Sequence, residues 1–143
     1  MSILLRTCDR GTSTIELAFV APLLTLFVLG MSDLASAIAG RYSLTRATIR
    51  ASELALSRGE RDGGFEYLRQ EAATAGNVPL DNVQVEQWLE CNYEVSSAQS
   101  CTPPAISFKY VKVTISGKFE PKYTRSVFGD TISLFGSSVV RVQ

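Results

Sequence analysis

A chain of 143 residues in which fourteen basic side chains balance fourteen acidic ones, with no long run of either sign, has no electrostatic footprint for nucleic acid. Histidine is absent, which removes the commonest general base and the commonest transition-metal ligand together, and three scattered cysteines, Cys8, Cys91 and Cys101, make a poor zinc site. The composition thus argues against an enzyme with catalytic residues, a metal or a cofactor, and at 45% hydrophobic residues the position of the apolar side chains carries the information.

The first eleven residues form a short polar leader with Arg6, Asp9 and Arg10, ending at Gly11. Leu17 to Ser32 then carry no charge, and the stretch extends past Asp33 to Gly40. As a helix, residues 17–40 span roughly 36 Å, enough to cross a bilayer. Pro22 and Gly30 would weaken a helix in water, but in lipid no water competes for the backbone, and Pro22 leaves room for a kink. Asp33 falls near the far interface, where a charge costs less than at the centre.

The helix need not end with the membrane. Leu44, Ala47, Ala51, Leu54 and Ala55 recur at spacings of three and four, with Arg41, Arg46, Arg50 and Glu53 elsewhere around the wheel, which predicts one long helix over about 13–57. The glycine- and charge-rich "RGERDGG" at 58–64 is the natural break. Phe65, Leu68 and Ala72 share one face of a short second helix, with Gly76 as its stop.

From Val83 the period changes. Val83, Val85, Leu89 and Cys91 lie on one side of a strand, and Val111, Val113, Ile115 and Phe119 alternate with Lys112, Thr114 and Lys118 in another. Tyr110 beside Val111 disturbs the alternation set up by Ile106 and Phe108, which implies a bulge or a strand start there. Ile132, Leu134, Val140 and Val142 are in phase for a third strand interrupted at Gly136. Ser107 and Lys109 read as the solvent face of a strand. The expectation is an α+β chain, with a long helix, a short helix and a small antiparallel sheet of about three strands. It divides into a leader at 1–11, the helix at 12–57 and a globular α+β domain at 58–143.

Between the first two strands, Cys91 and Cys101 bound a polar loop. A disulfide there would add roughly 2 to 3 kcal/mol and would place the domain outside the reducing cytosol; the alternative is two free buried thiols. Arg41, Arg46 and Arg50 follow the span, against Arg6 and Arg10 before it, a count that taken alone favours the opposite orientation. The cysteine pair outweighs it, because long domains translocate with little regard to charge.

An acid, Glu16, stands at the front of the apolar run, five residues after Gly11. An ionisable residue there is a functional candidate by default, although an acid in the first turns of a helix is also favoured by the helix dipole. The spacing resembles the prepilin-peptidase site of type IV pilin-like proteins, where cleavage after a glycine leaves glutamate fifth in the mature chain. The wider segment, with Arg10, Gly11, Glu16, Pro22, Gly30 with Asp33, and the Ala- and Arg-rich helix from Arg41 to Ala55, resembles TadE-like pseudopilins of the tight-adherence pilus system. Thr12, Ser13 and Thr14 stand where small apolar residues are commoner in that family.

That resemblance implies cleavage between Gly11 and Thr12 and an assembly role for Glu16 toward a newly exposed α-amine. It implies as partners other pseudopilins and pilin subunits through the N-terminal helix, the prepilin peptidase and the inner-membrane assembly platform. It also implies a single-pass protein of the bacterial inner membrane, N-terminus cytoplasmic and domain periplasmic. Two other readings stay open at this point. One is an ordinary signal peptide cut at Ala35-Ser36-Ala37 or Ala37-Ile38-Ala39, releasing a small secreted binding domain; the other is an unprocessed membrane anchor.

Overall fold

The computed structural model describes residues 12–61, 64–96 and 100–142; the leader, with Cys8 and Gly11, lies outside them. Helix α1, Thr12–Arg58, is a single run of 47 residues that continues through Pro22. At about 1.5 Å per residue it is roughly 70 Å long, more than twice the thickness of a bilayer's hydrocarbon core. It ends where the sequence breaks, with Gly59 in the left-handed region at φ 66° and its N–H bonded to the Ala55 carbonyl at 2.9 Å. The Tyr67 hydroxyl then donates to the Gly59 carbonyl at 2.7 Å, tying the break to helix α2, Tyr67–Gly76. Gly76 is the last helical residue, and Asn77 supplies the left-handed cap.

A turn of 3-10 helix at Leu80–Asn82 leads into four strands: β1 Val83–Cys91, β2 Glu94–Ser96, β3 Ser107–Phe119 and β4 Ile132–Arg141. All pair antiparallel in the order β2-β1-β3-β4. The second half of α1 and all of α2 cover one face of this sheet. The stripe anticipated from the spacing is the one that packs: Leu44, Ala47, Ala51 and Ala55 are buried and Leu54 is half-buried, joined by buried Thr48 and Ser52. Opposite them Val111, Val113 and Ile115 of the central strand are fully buried, together with Val83 and with Leu68 and Ala72 of α2. Small residues on the helix let its backbone lie close to the sheet, so a short chain still encloses a dry core.

Four details differ from the sequence reading. The sheet has a fourth strand, β2, folded back inside the cysteine loop by a two-residue turn, Asn92 and Tyr93, both at positive φ (54° and 70°). The anticipated bulge at Tyr110 does not form, because the β1–β3 ladder is continuous from Cys91 opposite Ser107 to Val83 opposite Ile115. Phe108 and Tyr110 occupy the open face, where Tyr110 stacks on Trp88 at 5.5 Å, while Val111, Val113 and Ile115 face the helices. Nor does Gly136 interrupt β4; it pairs with Ile115 in an unbroken ladder. Lys109 also departs from its solvent-facing assignment, pairing with Glu60 and lying over the Phe65 ring. Cys91 and Cys101 are joined in a disulfide with their Cα atoms 5.6 Å apart.

Candidate assembly surface and its junction with the domain

The first half of α1 projects from the domain and is apolar all the way round. Phe19, Leu23 and Leu26 are 79%, 68% and 69% exposed, and Leu17, Phe27 and Met31 are similarly open. A helix of this kind is at rest only in lipid or inside a helical bundle. It is the one helix among the described residues long and apolar enough to cross a membrane, by length and composition. Two of its hydroxyls are satisfied within the helix: Thr25 donates to the Ala21 carbonyl at 2.8 Å and Ser36 to the Ser32 carbonyl at 2.9 Å.

Glu16 stands exposed near the start of this surface, with no ion pair among the described residues. An unpaired carboxylate beside such a run is expensive to bury and therefore selective about what it packs against. Thr12 is the first residue of α1, and Gly11 lies outside the described residues.

Asp33 is the residue whose part in the structure was not evident beforehand. It is only 5% exposed. Its Oδ1 accepts the Lys122 N–H at 3.0 Å, and its Oδ2 accepts the Tyr123 N–H at 2.8 Å, the Thr124 N–H at 2.7 Å and the Thr124 hydroxyl at 2.8 Å. The segment between β3 and β4 is thereby fastened to the helix. A side chain on Gly30, one turn earlier, would meet Thr124 Cγ2 at 3.7 Å, and one on Gly40 would meet Leu134 at 3.0 Å. The closest approach lies further up: a Cβ on Gly136 would fall 2.7 Å from the Leu44 carbonyl carbon and 2.8 Å from the Thr45 nitrogen. Glycine is required there for α1 and β4 to touch backbone to backbone.

The disulfide lies at the other end of the molecule. Strand β3 begins opposite Cys91 and ends at Phe119, close to the junction, so the two features are about 40 Å apart at about 3.3 Å per residue. The structure thus separates Glu16, the Asp33 junction and the disulfide along the long axis of the chain and gathers none of them into a catalytic cluster. Among the described residues no group of acids or cysteines could hold a metal ion.

Residues 11–52 match the model of the TadE-like protein family. This part of the chain is similar to TadE-like proteins. The match opens on Gly11 and takes in Glu16, Pro22, Gly30 and Asp33 before ending at Ser52, within the stripe that packs on the sheet. It supports a protein related to the tight-adherence pilus, a structural rather than enzymatic family, and is compatible with a single-pass membrane protein that interacts with pilus components. No curated protein and no solved structure matches the chain.

Proposed function

We propose that the chain is a minor pseudopilin of a tight-adherence, type IVc-like pilus. It is matured by a prepilin peptidase between Gly11 and Thr12 and acts structurally in pilus assembly, adhesion or initiation. The observation that carries this is the exposed apolar half of α1 with Glu16 near its head, in a segment where the TadE-like match begins at Gly11. Cleavage would give Thr12 a free α-amine. When the helix passes from the bilayer into a bundle of pilin and pseudopilin helices, Glu16 pairs with such an amine, its own or a neighbour's, and so selects the register between subunits. The domain stands on the periplasmic side, where the disulfide persists, and the inner-membrane platform engages the helix. A minor role fits a chain that keeps a folded domain beyond its helix.

The secreted-domain alternative would cut α1 near Ala37 or Ala39. The continuity of the helix and the Asp33 junction weigh against it, since that cut removes the acceptor holding Lys122, Tyr123 and Thr124. The test of the proposal is Glu16→Gln in cells carrying the rest of the pilus system. It should still be processed and should fail to assemble; assembly at wild-type level would remove the register role.

A further inference from the structure

The junction places part of the domain at membrane depth, an inference that rests on the membrane-spanning reading of α1. From Leu17, just inside Glu16, to Ser32 there are sixteen uncharged residues, about 24 Å of helix, short of the roughly 30 Å of hydrocarbon in a bilayer. The missing length lies beyond Asp33. There the helix still shows an apolar surface, with Leu34 and Ile38 each 60% exposed, until Arg41 and Tyr42 supply the charge and aromatic ring of an interface. Asp33 would be the obstacle to burying this turn. Its four hydrogen bonds to Lys122, Tyr123 and Thr124 remove the obstacle, because a carboxylate with its lone pairs satisfied by protein donors can leave water.

The segment that supplies those donors therefore sits at the same depth, and its surface suits the place. Tyr123 is 56% and Val127, in the short helical turn Arg125–Phe128, 75% exposed, and both stand beside the bare apolar surface of α1 rather than singly. Arg125 is paired with Asp130, so that little net charge opposes burial, and Lys122 is exposed beside them. Between this segment and α1 runs a groove of about 460 Å³ walled by Leu26, Phe27, Met31, Phe119 and Val127, continuous with the bare surface of the helix.

We propose that residues 121–130 form an interfacial foot: Tyr123 and Val127 enter the boundary between headgroups and acyl chains of the leaflet on the domain's side, and a lipid acyl chain fills the groove. Lys122 reaches up to the headgroup phosphates. The domain is then seated on the bilayer at a fixed height.

The test is site-directed spin labelling of the full chain, disulfide intact and Cys8→Ser, in vesicles of phosphatidylethanolamine and phosphatidylglycerol. Nitroxides go singly on Leu23→Cys, Val127→Cys and Val95→Cys, all at exposed positions. Collision with oxygen should exceed collision with a water-soluble nickel chelate at 23 and at 127, and the ratio should reverse at 95. If 23 reports lipid while 127 behaves like 95, the foot is wrong and the span stands. Low collision with both reagents at 127 would mean that protein covers the patch, and would overturn the foot as well. If 23 does not report lipid, the spanning reading and the foot fail together.

Discussion

Asp33 Oδ2 accepts both the backbone N–H and the hydroxyl of Thr124, at 2.7 and 2.8 Å, across 91 residues of sequence. This contact fastens the segment between β3 and β4 to the projecting half of α1. Asp33→Ala leaves three backbone donors without their acceptor. It is expected to lower the thermal midpoint of the detergent-solubilised protein by several degrees and to open the 121–130 segment to limited proteolysis. Asp33→Asn keeps one oxygen but sets an NH₂ group against an N–H donor, and should fall between wild type and Ala.

Gly136 and Leu44 make the tightest contact between helix and sheet. Because a Cβ on Gly136 would meet backbone atoms of α1, which cannot rotate away, Gly136→Ala should cost about 3 kcal/mol, measured by urea denaturation. Gly64→Ala is the control: an added Cβ there meets nothing within 4 Å, and the change should stay within about 0.5 kcal/mol of wild type.

Ile115 is fully buried on the central strand, its Cδ1 close to Gly76 of α2. Ile115→Ala should cost about 3 kcal/mol in the same assay, through lost burial and the cavity left behind. Thr114→Ala, on the opposite face of the same strand, should cost well under half as much.

The disulfide closes a loop at a sequence separation of 10 and anchors the end of the sheet remote from the Asp33 junction. Replacing Cys91 and Cys101 together with serine should lower stability by about 2 to 3 kcal/mol and leave the contact between α1 and β4 in place. Unfolding with and without reductant, followed by Trp88 fluorescence, separates the two effects.

The long helix, its buried stripe and the alternation of β1 and β3 were legible in the sequence because each depends on local spacing alone. The misreadings have physical causes. Phe108 and Tyr110 looked like a flaw in one apolar face because aromatic residues also line the open face, where Tyr110 stacks on Trp88. Gly136 looked like a strand break because its missing Cβ makes room for Leu44, a contact 92 positions away that no local pattern encodes. The β1–β2 turn went unread since Tyr93, rather than glycine, takes its second left-handed position. Asp33 could be placed near an interface but not given partners, because those partners are backbone N–H groups that carry no side-chain signature. Glu16 is the reverse case: its significance rests on its spacing from Gly11, and the described contacts add only that it is exposed.

The central claim is that the bond between Gly11 and Thr12 is cut and the whole of α1 retained. Determining the N-terminal residue of the protein recovered from cells with an intact pilus system tests this most directly. Thr12 is the predicted result. A start near Ile38 or Gly40 would mean secretion from an ordinary signal peptide, and Met1 or Ser2 an unprocessed anchor; either would contradict the account.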